Sequence, residues 1–227
     1  MEKVILDDIP FGIEGKSLAA LLKARPGSCT EASLLAMLRE ARILARPKAA
    51  FAVCDVKPSG ENAVEVGGVQ FTSRVLHGNL AGSGLAFPFA ATCGTELEAW
   101  ARERKSTLHS FWADSIMLMA LGCAVSFLEC HLKARLGEGA RLSTMNPGSL
   151  EDWPLSGQAP LFSVLGSCAP AIGVSLNDRM VLRPLKSVSG IQFLSEKGFV
   201  NCSLCPRESC PARRAPFEPG LYRGGMP

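Results

Sequence analysis

The stretch GLAFPFAATCGTELEAW, residues 84–100, decides the class of fold, because its pattern changes in the middle. The first half is an apolar run of Phe and Ala that reads as a buried strand ending at Cys93-Gly94. Thr95 and Glu98 then stand at capping-box spacing and open a helix to about Lys105. A longer helix follows, from about Leu108 to Leu136, in which Gly122, Cys123, Ala124 and Ser126 are small enough to let another element approach closely.

The same two patterns recur upstream. Ser28 and Glu31 form another capping box, leading into Leu34, Leu35, Leu38 and Ile43, an amphipathic helix to about Leu44. From Lys48, AAFAVCDV and AVEVGGVQFTSRVL are rich in Val and Phe and are punctuated by Pro58-Ser-Gly60 and Gly67-Gly68, which predicts strands joined by turns. Downstream, Pro147-Gly148 predicts a turn and Trp153-Pro154 a fixed bend. Residues 159–166 read as a short helix, and AIGVSLND and RMVLRPLKSVSGIQFL as strands. Helix, strands, helices, strands, with no βαβ repeat, predicts an α+β domain around a mostly antiparallel sheet.

Length and charge bound the organisation. The 227 residues suit one domain with a small appendage. We divide the chain into a body, residues 1–196, and a tail, residues 197–227. The tail holds three cysteines, five prolines and four arginines, a composition without an apolar core of its own. Its five basic and two acidic residues account for the whole net charge of +3, which leaves the body neutral. A neutral body argues against a nucleic-acid binder, whose basic face usually dominates its domain. The most apolar run, Ile116 to Leu128, is shorter than the roughly 20 residues of a membrane span, and the acid-bearing first fifteen residues do not look like a secretory leader. The expected compartment is the cytoplasm.

The most specific chemical signal is Cys202-Ser-Leu-Cys205-Pro-Arg-Glu-Ser-Cys210. Thiolates at these spacings on a Pro-rich loop can converge on one metal, zinc or the iron of an iron–sulfur cluster. A fourth ligand would come from Cys93, Cys54, Cys29, Cys168 or outside the chain. The competing readings are free thiols or a redox pair. The other six cysteines lie in apolar contexts and read as small buried hydrophobes. His77, His109 and His131 are isolated, and His131 follows Cys130, so on a helix the two diverge by about 100° and cannot clamp one ion.

The second signal is the polar turn Asn146-Pro147-Gly148-Ser149, with Glu151 and Asp152 available for a cationic centre, followed by Leu161-Phe162 and then by Pro184-Leu-Lys-Ser187-Val188-Ser189-Gly190. Its bland reading is a helix-capping loop. Together with Gly173, Val174 and Leu176, the Thr92-to-Glu98 segment and Trp112-Ala-Asp114-Ser115, this combination resembles the activation domain of cobalamin-dependent methionine synthase over about residues 45–195. The resemblance implies a curved domain with a twisted antiparallel sheet. It also implies binding of S-adenosylmethionine beside a corrinoid-bearing partner, so that an electron and the sulfonium methyl restore methylcobalamin from Co(II). Carried onto this chain, the ligand would meet Arg141, Asn146, Pro147, Gly148, Ser149, Glu151, Asp152, Ser187, Ser189 and Gly190. The family's turn reads Arg-x-x-x-Gly-Tyr; here Arg141 lies seven residues before Gly148, and Ser149 follows the glycine.

Two functions follow from this reading. One is an accessory reactivation component of a corrinoid-dependent methyltransferase, with a cluster at Cys202, Cys205 and Cys210 passing the electron. The other is a non-catalytic adaptor whose tail binds structural zinc and whose body docks on a corrinoid protein.

Overall fold

The computed structural model describes residues 1–80, 82–137, 139–195, 198–210, 213 and 215–218; the tail's Lys197, Arg214 and Arg223 lie outside the described residues. The strands are β1 (Glu2–Leu6), β2 (Lys48–Pro58), β3 (Ala63–Val66), β4 (Val69–Thr72), β5 (Leu85–Thr92), β6 (Leu142–Met145), β7 (Ser175–Leu176), β8 (Leu182–Arg183) and β9 (Ser187–Leu194). The helices are α1 (Gly15–Leu21), α2 (Cys29–Leu44), α3 (Arg74–Leu80), α4 (Thr95–Arg102), α5 (Thr107–Leu136), α6 (Gln158–Leu165) and α7 (Cys168–Ala171).

Among the described residues the main sheet has seven strands in the order β4-β3-β2-β5-β9-β6, with β1 added on β2; every strand pair is antiparallel. β2 is long enough to serve two neighbours on one edge. Its residues 49–53 pair with β1 and its residues 56–58 with β3, while its other edge carries β5. The β2–β5 register runs from Lys48↔Thr92 to Phe51↔Phe89 and resumes at Cys54↔Ala86. The break lies beside Pro88, which has no N–H to give to the ladder. β7 and β8 form a separate ribbon. This is the open α+β architecture expected from the order of elements.

Period-two alternation splits the sheet into two apolar faces. Ala50, Ala52, Cys54, Ala86, Ala90, Ile191 and Phe193 face one core, which Leu76, Leu80, Trp153, Leu161, Leu165 and Ala169 complete. Ala49, Phe51, Phe87, Phe89 and Ala91 face the other, covered by Ala124, Leu128 and Leu132 of α5. The alanines let the layers approach closely. A third, all-helical core joins Leu34 and Leu38 of α2, Leu97 and Trp100 of α4, and Trp112 and Ile116 of α5.

Three local readings change. Ser73-Arg-Val-Leu continues not as strand but as α3, because Ser73 caps it, its Oγ accepting the Leu76 N–H at 3.0 Å. β1 and α1 carried too weak a pattern to be read at all. The long helix α5 spans 30 residues, and its length and composition would suffice to cross a membrane. Ile116, Ala120, Ala124, Leu128 and Leu132 are nevertheless buried against sheet and helices, the placement of a core helix.

The described part of the tail leans on the body. Val200 bridges Thr144 of β6 in parallel, and Leu204, 2% exposed, enters the first core.

Candidate functional site

The turn that follows β6 is built by its own sequence. Pro147 sits at its second position and Gly148 at its third with φ +82°, and the Ser149 N–H closes on the Asn146 carbonyl at 3.2 Å, the arrangement of a type II turn. The chain then doubles back. Gly148 N–H donates to the Trp153 carbonyl at 2.8 Å, and Trp153 N–H to that of Leu150 at 3.2 Å. Trp153 is buried edge-on against Phe71, with ring centroids 6.3 Å apart. Gly157 lets that indole in, since a Cβ there would lie 2.3 Å from Trp153 Nε1.

β9 runs beneath the turn. Asn146 Nδ2 donates to the Ser189 carbonyl at 2.9 Å. Gly190 makes the approach feasible, because a Cβ at that position would stand 2.3 Å from the Met145 carbonyl oxygen and 2.6 Å from Asn146 Nδ2. Ser189 Oγ donates to Oε1 of Gln158, the first residue of α6, at 2.6 Å, with both residues buried. One pair further along β9, Ser187 and Thr92 are in register and their hydroxyls lie 2.9 Å apart.

The acidic pair divides. Asp152 Oδ2 accepts the Val75 N–H at 3.0 Å and the Ser73 hydroxyl, and Oδ1 lies 3.6 Å from Arg74 Nε. Asp152 thus satisfies part of the N-terminus of α3. Glu151 is exposed and its carboxylate makes no hydrogen bond or ion pair among the described residues. Arg141 precedes β6, at the opposite end of the strand from the turn; the four residues of β6 separate it from Asn146 by roughly 16 Å. Its carbonyl receives the Ser195 N–H, and its side chain is exposed, apart from the turn.

The structure therefore brings together Asn146, Pro147, Gly148, Ser149, Ser189 and Gly190, places Ser187 one step along β9, gives Asp152 to α3 and leaves Arg141 away. Gln158 and Ser73 join the site without a sequence signal, since a single Gln or Ser opening an apolar helix looks like any cap; Thr92, from the segment that the resemblance singled out, joins it through Ser187.

Of the six body cysteines expected as small buried hydrophobes, Cys54, Cys93 and Cys168 are buried, Cys123 is half-buried, and Cys29 and Cys130 are exposed on helix surfaces. Burial pushes the thiols of Cys54 and Cys93 up to about 11 and about 12. Cys54, Cys93, Cys168 and Cys29, the four candidate fourth ligands, sit on separate elements of the body. Cys202, Cys205 and Cys210 are half-exposed on the tail, and no described cysteine is in a disulfide. Among the described residues no three His, Cys, Asp or Glu side chains stand close enough to hold a metal ion.

No protein-family model matches the chain, and no curated protein matches it. Solved structures do. One is a crystal structure of the MetH reactivation domain bound to AdoHcy, with a TM-score of 0.56 and 12% identity over 85% of this chain and 78% of that one. At that identity the likeness is one of fold.

Proposed function

We propose that this chain is an accessory reactivation component of a corrinoid-dependent methyltransferase of the methionine synthase type. It docks on a corrinoid-bearing partner and assists the reductive remethylation of Co(II) corrinoid. The observation that carries the reading is the fold, similar to the MetH reactivation domain over most of both chains. The motif from Pro184 to Gly190 supports it, because its second half, Ser187 to Gly190, opens β9, where the turn and α6 converge. A cytoplasmic location belongs to the same reading.

A corrinoid held by the partner would supply the chemistry, one-electron reduction by an external donor followed by methyl transfer from the sulfonium with the thioether as leaving group. This chain's residues bind and orient. Ser149 and Glu151, exposed on the turn, face solvent with a hydroxyl and an unpaired carboxylate suited to a sulfonium cation. Arg141 does not fit the carboxylate of such a ligand, because it stands at the other end of β6. The guanidinium beside this loop is that of Arg74, held by Asp152 and 69% exposed.

The test uses a corrinoid methyltransferase trapped as Co(II), S-adenosylmethionine and titanium(III) citrate as donor, with absorbance reporting methylcobalamin. The expected result is a return at least tenfold faster with one equivalent of this chain. An unchanged rate, together with no complex by gel filtration, overturns the proposal.

A second reading, a non-catalytic adaptor, is favoured by one observation: Asn146, Gln158, Ser189 and Asp152 already satisfy one another or the backbone. Calorimetry with AdoHcy separates the two readings, since the adaptor forms the complex but gives no heat with that ligand.

A further inference from the structure

The described tail residues 202–210 and Ala215 are gathered around one residue, Arg213. Cys202 lies in a 3-10 turn, Asn201–Leu204, and the Cys205 N–H closes on the Cys202 carbonyl at 3.3 Å. That bond puts Cys202 and Cys205 at the two ends of one four-residue turn, with Cys205 already extended. Arg213 then gathers all three cysteine backbones. Its own N–H donates to the Cys210 carbonyl at 3.1 Å, Nη1 to that of Cys202 at 3.1 Å, and Nη2 to that of Cys205 at 3.2 Å. The same guanidinium reaches the carbonyls of Ala215 and Arg207. The knot is fixed to the body by buried Leu204 and closed by the Glu218 N–H on the Ser203 carbonyl at 2.8 Å.

This arrangement does not rest on the similarity of fold that carries the reactivation reading. Four carbonyls meet the half-buried guanidinium and a fifth meets the Arg213 main-chain N–H, which together hold three cysteine Cα positions in a fixed relation. We propose that Cys202, Cys205 and Cys210 form a thiolate site for a soft divalent cation of the zinc class, with Arg213 as the residue that positions them. Tetrahedral thiolate coordination requires sulfurs about 3.8 Å apart around metal–sulfur bonds of about 2.3 Å. The three thiols are not gathered to that degree here, so binding turns the side chains about Cα–Cβ while the backbone keeps its hydrogen bonds. Three thiols lose three protons as three sulfur–metal bonds form, which gives the centre a net charge of −1 that the guanidinium of Arg213 offsets. Three protein ligands leave the fourth position to water or to a thiol from outside the chain. No electron transfer is involved.

The test is a titration of the full, reduced chain with cobalt(II) without oxygen, followed by zinc. The expected result is one cobalt per chain with tetrahedral thiolate absorption, displaced by one zinc with release of roughly three protons. Cys202→Ser, Cys205→Ser and Cys210→Ser each lower the affinity at least tenfold, while Cys29→Ser leaves it unchanged. Arg213→Ala keeps the same spectrum at saturating cobalt but weakens binding at least tenfold, with the metal-free unfolding transition unmoved, which a merely structural arginine would not do. Absence of the band, a band that survives the tail substitutions, or fewer than two protons released by the wild-type chain overturns the proposal. The proton count holds even if a variant fails to fold. Rapid formation of a Cys202–Cys205 disulfide that blocks no metal uptake would also overturn it.

Discussion

Asn146 and Ser189 are joined by a hydrogen bond from Nδ2 to the main-chain carbonyl at 2.9 Å, across 43 residues of sequence. This one contact fastens the Pro147-Gly148 turn to β9, and around it lie Gly190, which admits it, and Gln158, which caps the neighbouring hydroxyl. Four predictions test the site and the cores beside it.

Gly190→Ala places a methyl group against the Met145 carbonyl oxygen, 2.3 Å away, and backbone cannot step aside as a flexible side chain would. The expected cost is about 1–3 kcal/mol. Thermal or urea unfolding checks it, with Gly12→Ala as the control, since nothing lies within 4 Å of a Cβ at that position.

Ser189→Ala removes the donor to Gln158 Oε1 and leaves that buried oxygen unpaired. A loss of about 1–3 kcal/mol is expected, and adding Gln158→Leu should recover part of it, because an apolar pair carries no unmet hydrogen bond. A double-mutant cycle in urea measures the coupling.

Alkaline pH should destabilise the chain through its buried thiols. Burial raises Cys54 to about 11 and Cys93 to about 12, whereas an unfolded thiol ionises near about 8.5. Below that value both states are protonated and the contribution is complete; above it the unfolded state sheds protons that the folded state keeps, so stability falls until pH passes through the folded values. Urea midpoints between pH 8 and pH 10.5 (roughly the accessible part of that window) should fall with pH, and less steeply in Cys54→Ala/Cys93→Ala.

Two neighbouring apolar residues of α5 should behave differently. Ile116 is fully buried, while Leu118 is 56% exposed. Ile116→Ala should cost about 2–5 kcal/mol and Leu118→Ala under about 0.5 kcal/mol, both read from urea unfolding. Comparable losses at both positions would mean that the outer face is also packed.

Legibility differed by element. The Ser28 cap was readable because both its partners lie within four residues: Ser28 Oγ accepts the Glu31 N–H at 3.1 Å. Thr95-x-x-Glu98 had the same spacing, but Gly94 caps α4 and Glu98 turns inward to take the Leu185 N–H at 2.9 Å. The spacing is local information, and a better-placed distant donor outbid it. Arg141 shows the converse. Sequence proximity put it near the turn, but an extended strand carries five residues roughly 16 Å, so β6 holds it at the far end.

By itself, the sequence determined the class of fold, the strands and helices of strong period, the turn at Pro147-Gly148 and the grouping of cysteines in the tail. Each of these rests on φ preferences or on side chains a few residues apart. Only the tertiary structure decided that Asp152 serves α3, 77 residues from Val75, that Gln158 lies beneath the turn, and that Arg213 collects three cysteine carbonyls, two with its guanidinium and one with its main-chain N–H. Those relations depend on which strands become neighbours, and that is settled by burying both faces of the sheet at once, a property of the whole chain that no single window of sequence contains.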